Sequence, residues 1–198
     1  IRKNLTESEK ETAVVLCNES LLQPVLHSLP EDVEHVNITM GFPLSQTPVY
    51  SFVLALLELQ INGFNPKNGR FLFEQVIAVL KHPYTRQQTT EAEALEKSLT
   101  QDNRFYPLPS ELKKDEFLSH LFTPVSGILP LTDYLLEALQ QVAVIYRKDK
   151  GKEQDEALNQ LYRESLFKAY TTFGRIRTLM EEGILNIKPH TYRKLVLR

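Results

Sequence analysis

Residues 12–60 read TAVVLCNESLLQPVLHSLPEDVEHVNITMGFPLSQTPVYSFVLALLELQ, and the order of runs in this stretch decides the fold expected of the chain. Residues 13–16 (AVVL) are too few for a helix and β-branched at their centre, so they read as a buried strand. Ser20 with Gln23 three positions on spells a capping box, and Pro24 lies near the first turn, where proline costs least. Leu21, Leu22, Val25, Leu26 and Leu29 would then share one helical face. Pro30, Glu31 and Asp32 turn the chain, and residues 35–39 alternate as a second strand. After the turn at Gly41 and Pro43, Thr47 and Pro48 form the clearest helix start in the sequence, an N-cap followed by proline at the first helical position. Strand, helix, strand, helix is the opening of an α/β layer, and a helix between two strands implies a parallel βαβ unit with a right-handed crossover.

Beyond this stretch the period is helical. The helix from Pro48 is apolar around most of its circumference, which marks a central packing helix, and Gly63 is a suitable terminator. Asn65, Pro66, Lys67, Asn68 and Gly69 make the first strong break. Helical runs follow over 70–81, stopped by Pro83, over 91–101 with Thr90 and Glu93 as a capping box, over 110–121 capped by Ser110, and over 131–147. A long helix spans about 153–182 and ends at Gly183; residues 184–187 read as a third strand, and Thr191 caps a last helix. The expected fold is mostly α with a small parallel β-sheet. Its parts are a loose lead-in (1–11), an α/β segment (12–64), a helical insertion (65–183), and a return strand with a shortened helix (184–198).

Composition narrows the classes. With 198 residues, 42% apolar, the chain can bury a sizeable core, and a net charge of −2 argues against a protein that coats nucleic acid or membrane by bulk charge. No run approaches the roughly 20 apolar residues of a membrane span. A single cysteine, Cys17, forms no internal disulfide; its place in an apolar run reads as a small buried core residue rather than a nucleophile, and a reducing, cytoplasmic compartment fits.

Chemistry was sought and no complete catalytic site found. There is no phosphate loop, no HExxH or CxxC, and no GxSxG elbow. His27 reads as the edge of an amphipathic helix, His82 as a helix-end residue placed favourably against the dipole, and Glu181 and Glu182 as neighbours on a solvated helix end. The expectation is no catalytic residue, no metal site and no cofactor in these residues. The one basic stretch runs from Arg175 through Arg177, Lys188, His190, Arg193 and Lys194 to Arg198, against Glu181 and Glu182. It is either a track for a phosphate backbone or a solvated face.

Residues 12–60 resemble a segment of the UvrD/Rep-type (superfamily 1) DNA helicases, in which a strand of the form IAVLxR leads into a helix, a second strand, a Gly-containing turn and a helix ending near an LAYLRL-like run. Residues 13–16, 36–41 and 54–59 stand in matching order, and the helical region 65–183 takes the place of that family's mobile 2B insertion. The wording NITMGFPLSQTPVYSF, and the closing run TTFGRIRTLMEEGILNIKPHTYRKLVLR, look most similar to the AddB-like helicase–nuclease branch, whose helicase part is often degenerate and whose PD-(D/E)XK nuclease lies C-terminal. The resemblance implies a part of the second motor-like domain with its insertion. ATP and Mg would serve the parent protein only, and the partners would be DNA, the rest of the parent chain and a helicase subunit, with no membrane. It also implies that Thr39, Gly41, Arg175, Arg177, Lys188, His190, Arg193 and Lys194 are candidate DNA contacts. Asn18 stands where active helicases carry an arginine for the nucleotide γ-phosphate, and an amide cannot supply that charge. Asn18 can equally be a turn or cap residue before the helix.

Two functions of different class follow. One is a non-catalytic, DNA-handling or scaffolding piece of a DNA-repair helicase–nuclease, for which an incomplete sheet with an uncovered apolar edge is expected. The other is a stand-alone helical adaptor for a partner protein, for which a closed fold is expected.

Overall fold

The computed structural model describes residues 13–18, 21–30, 33, 36–37, 43–148 and 156–196. Two compact units divide the chain, Ile1–Pro43 and Leu44–Arg198.

Among the described residues of the first unit no strand is formed, so the expected parallel pair is not seen there. Residues 13–16 have no strand partner, and Val14 and Val15 are 52% and 85% exposed. A short β-branched run reaches strand geometry only when a neighbouring strand takes up its backbone groups, and no described segment does so. Cys17, expected in the core, is exposed in a bend. Val36 and Asn37 likewise carry no strand, while the rest of the second expected strand, with Thr39 and Gly41, lies outside the described residues. One helix is present, α1 (Leu22–His27). Leu21 occupies its N-cap and makes no side-chain cap bond; Ser20 lies outside the described residues. Leu22 is buried and Val25, Leu26 and Leu29 are half-covered, while Leu21, expected on the same face, stands at the N-cap ahead of the helix and is 48% exposed.

The second unit is a helical assembly with one small antiparallel ribbon. After a 3-10 turn at Leu44–Gln46, α2 (Pro48–Glu58) begins where the Thr47-Pro48 signal places it. Thr47 turns its hydroxyl back to the Leu44 carbonyl (2.5 Å), so it fixes the preceding turn instead of capping the helix end. Val49, Phe52, Val53, Leu56 and Leu57 are 0–2% exposed because α2 is flanked by α3 (Phe73–Lys81), α4 (Pro83–Gln88) and α9 (Glu156–Glu181). The helix then widens into a π turn at Leu59–Gly63. Gly63 is required by closeness: a Cβ there would lie 3.0 Å from the Gln75 Cβ.

Widening the turn aims Gln60 inward. Its amide donates to the carbonyls of Leu121 (3.4 Å) and Thr123 (3.1 Å), and its oxygen accepts from the Val125 N–H (3.2 Å). The buried Tyr134 hydroxyl donates to the same Leu121 carbonyl, 2.8 Å away. The break at residues 65–69 becomes the turn of a hairpin, β1 (Phe64–Asn65) against β2 (Arg70–Phe71), antiparallel with Phe64 opposite Phe71.

The run expected over 70–81 is α3, which starts later because residues 70–71 form β2 and which ends at Lys81 as expected; Pro83 then starts α4, a helix that was not expected. Helix α5 (Glu91–Gln101) has the expected bounds, yet the Thr90–Glu93 capping box is not made; the Thr89 hydroxyl accepts the Glu91 N–H instead. The run over 110–121 is two short helices, α6 (Pro109–Leu112) and α7 (Glu116–Leu121), the latter capped by Asp115 on the Leu118 N–H (2.7 Å). Helix α8 (Ile128–Lys148) packs along α9. The ties Thr132–Met180, Asp133–Arg177 and Gln140–Tyr170 advance along one and recede along the other, so the two are antiparallel. Gly183 ends α9 at φ +73°, a left-handed position that glycine takes without strain. Residues 184–187, expected as a returning strand, are an irregular link into α10 (Pro189–Val196), which starts on Pro189, ahead of Thr191.

Candidate nucleic-acid interface

The basic stretch lies on the end of α9, the link after Gly183 and α10. Its floor is apolar. Tyr192 is fully buried, shares a 2.9 Å hydrogen bond with the buried Thr132 hydroxyl of α8, and lies 6.5 Å ring to ring from Phe173. Burial pushes the Tyr192 phenol up to about 12. That anchor turns α10 into a docked helix, where a solvated end had been one expectation.

Docking sorts the cations. Arg177 directs Nε to Asp133 (2.5 Å) and Nη2 to Glu181 (3.1 Å), and the Asp133 hydrogen bond, then its charge, holds the guanidinium pKa above its ordinary value. Arg193 sits in an ion pair with Glu58 of α2, close in distance but not aligned as a hydrogen bond. Both arginines are therefore occupied inside the protein and are poor phosphate ligands. Arg175, Lys188 and Lys194 are exposed and have no carboxylate partner among the described residues. The side chain of His190 lies outside the described residues. Of the other candidates, Asn18 is exposed and its carbonyl accepts the Leu21 N–H (3.1 Å), a turn before α1.

One pairing was not read from the sequence. Ser51 Oγ of α2 and His82 Nε2 lie 3.0 Å apart, though 31 residues separate them. A serine beside a histidine invites a nucleophile–base reading, but the local bonds oppose it. His82 Nδ1 accepts the Tyr84 N–H (3.2 Å) and so must be unprotonated, which places the ring proton on Nε2, facing Ser51. Ser51 in turn donates to the Pro48 carbonyl (2.9 Å). The nitrogen nearest the hydroxyl is a donor and cannot take its proton. His82 is at a helix end as expected, closing α3, but it is also the N-cap of α4 and is buried, its ring tilted 4.9 Å from that of Phe52, with its pKa lowered to about 4 by desolvation, so it is not a cation set against the dipole. The signal for it lay in Pro83: a residue before a helix-initial proline is an N-cap candidate.

Among the described residues no group of three or more His, Cys, Asp or Glu could hold a metal ion, and no helix is long and apolar enough to cross a membrane. The class defined so far is a helical unit with a docked, partly cationic C-terminal helix. No family model matches the chain, and no curated protein or solved structure is significantly similar to it.

Proposed function

We propose that the chain is a non-catalytic, DNA-handling or scaffolding part of a bacterial ATP-dependent helicase–nuclease of the DNA-repair type. The observation that carries this reading is the uncovered apolar run at 13–16, where Val14 and Val15 face solvent although nothing in their chemistry favours water. A strand-forming run left bare is what a segment needs if its neighbours belong to the rest of a parent chain. The helical insertion of this reading, 65–183, lies within the larger helical unit Leu44–Arg198, which also takes in α2. In this reading ATP and Mg bind elsewhere in the parent, Asn18 marks a motor site without its arginine, and the protein works in the cytoplasm beside a helicase subunit.

DNA contact then falls to the free cations Arg175, Lys188 and Lys194 more than to the paired Arg177 and Arg193. The test is fluorescence anisotropy with duplex and single-stranded oligonucleotides. An Arg175→Glu/Lys194→Glu variant should weaken binding by about 3- to 10-fold at low salt and flatten the salt dependence. If the wild-type chain binds neither form at low ionic strength, the DNA reading is lost.

A second reading, a helical adaptor for a protein partner, is favoured by the self-contained core of Leu44–Arg198 and by Phe167 and Ile184, each 69% exposed. It expects no DNA binding and no effect of the charge reversals.

A further inference from the structure

Segment 103–107 (NRFYP) follows α5 and carries two solvent-facing aromatic rings, Phe105 at 61% and Tyr106 at 57% exposure. Exposed aromatics usually sit on loose loops. These do not. Asn103 adopts a left-handed φ of 51° that reverses the chain, and the Arg104 N–H bonds to the Leu99 carbonyl (3.0 Å). From there the segment runs antiparallel to residues 71–73. The Phe105 carbonyl accepts from the Phe73 N–H (3.0 Å), the Tyr106 carbonyl from Arg70 Nη1 (2.7 Å), and the Pro107 carbonyl from the Phe71 N–H (3.0 Å). Pro107 is buried, and Phe73 meets Phe105 edge to face at 6.2 Å. The two rings are thus held on a fixed backbone with little conformational entropy left to lose on binding.

The surroundings indicate what would bind. Arg70 and, three residues back across the hairpin tip, Lys67 have no carboxylate partner among the described residues. Lys113 and Lys114 are exposed just beyond α6. Of the nearby acids, Glu111 bonds the Leu108 N–H (2.7 Å) and faces Arg104 at 3.7 Å, Asp115 caps α7 and Asp102 accepts from Ser98 Oγ (3.4 Å), while Glu74 is exposed. Two rings with Leu72 (37% exposed) make too small an apolar area for a stable protein interface, but rigid rings on a segment held by Arg70, a cation without a carboxylate partner among the described residues, match a polymer with flat bases and a phosphate backbone.

We propose that Phe105 and Tyr106 form a stacking platform for single-stranded nucleic acid, with Lys67 and Arg70 on its phosphates. The proposal rests on the DNA-handling reading for the choice of polymer and places the strand on a surface separate in sequence from the C-terminal cations.

The experiment titrates the full chain with fluorescein-labelled oligothymidylate and oligouridylate of about 15 nucleotides, and with a duplex of equal length. Phe105→Ala/Tyr106→Ala should weaken single-strand binding roughly 10- to 100-fold and leave the weaker duplex binding unchanged. Tyr106→Phe should bind as wild type, and Phe105→Leu, which keeps apolar area without the ring face, should lose most of the Phe105 effect. Lys67→Ala/Arg70→Ala should lower the slope of log K against log salt by roughly 1. Thermal melting of each variant separates loss of binding from loss of folding, and both rings are exposed enough to be removed. Single-strand binding that ignores the aromatic variants but responds to Arg175→Glu/Lys194→Glu overturns the platform and leaves the DNA-handling reading standing. Binding to oligouridylate alone, lost in the aromatic variants, supports the platform and removes the DNA reading. A wild-type chain that binds no single strand overturns the platform.

Discussion

The two compact units treat most of their described valines differently, Val25 and Val33 being half-buried in the first and Val144 40% exposed in the second. In Ile1–Pro43, Val14, Val15 and Val36 are 40–85% exposed; in Leu44–Arg198, Val49, Val53, Val76, Val79 and Val142 are 0–2% exposed. Hydrophobicity alone does not separate them. Spacing does: valines recur at helical intervals on α2 (49 and 53) and α3 (76 and 79), and Val142 lies on the buried face of α8, so each helix satisfies its own backbone and can turn a whole face to its neighbours. The run at 13–16 can satisfy its backbone only through another strand, and burial waits on that pairing. A helix carries its solution within itself, whereas a strand depends on residues far away or on another chain.

The contrast breaks most sharply at Phe52. It is fully buried between α2 and α4, against His82 at 4.9 Å and Tyr84 at 5.6 Å. Phe52→Ala should cost about 3–5 kcal/mol in urea unfolding, from lost transfer energy and the cavity left behind. A cost under about 1 kcal/mol would mean that the second unit is as loosely covered as the first run.

Next in size is a pH effect. The His82 pKa falls from 6.5 to about 4 on folding because burial disfavours the imidazolium. The unfolded chain therefore takes up a proton that the folded chain refuses as pH drops from 6.5 to about 4. Stability contributed by the neutral ring is full above 6.5 and declines through that window by up to about 3 kcal/mol. Denaturant midpoints measured from pH 7 to 4 should fall, and His82→Gln should flatten that part of the curve. Protonation also converts the Nδ1 acceptor of the Tyr84 N–H into a donor, so α4 should lose its cap first.

How far these features could be read beforehand follows from what each depends on. Helices α2 and α5 were legible, α5 to the residue, because proline and apolar period are local signals, although neither Thr47 nor Thr90 makes the cap expected of it. The π turn at Leu59–Gly63 was not, since it exists to bring Gln60 to Leu121, Thr123 and Val125, more than 60 residues on. The hairpin was seen as a break but not as strands, two residues being too few for alternation to show. The basic stretch was visible as composition, yet its division into paired and free cations required Asp133 and Glu58 to come near it. The parallel βαβ unit was an over-reading of AVVL, whose pattern states a preference for pairing and cannot state that a partner is present.

A moderate effect should come from Gln60. Gln60→Leu keeps most of the volume but strands the Val125 N–H and removes donors from the Leu121 and Thr123 carbonyls, in a site where Gln60 is 8% exposed. A loss of about 1–3 kcal/mol is expected, with m unchanged. Gln60→Glu should cost more, because a carboxylate there faces two carbonyl oxygens.

The smallest effect tests the other side of the contrast. Val14→Ser/Val15→Ser removes two apolar side chains from a run that is already in water, so unfolding free energy should change by less than about 0.5 kcal/mol. What should change is solubility at high concentration and the fluorescence of a dye that binds apolar surface, both reporting patches that water covers poorly. A loss of more than about 1 kcal/mol would show instead that the run is packed in solution, for a buried side chain is the only route by which two such substitutions reach that size. The two units would then bury their valines by one rule, and the bare run could no longer stand for a strand awaiting its neighbours.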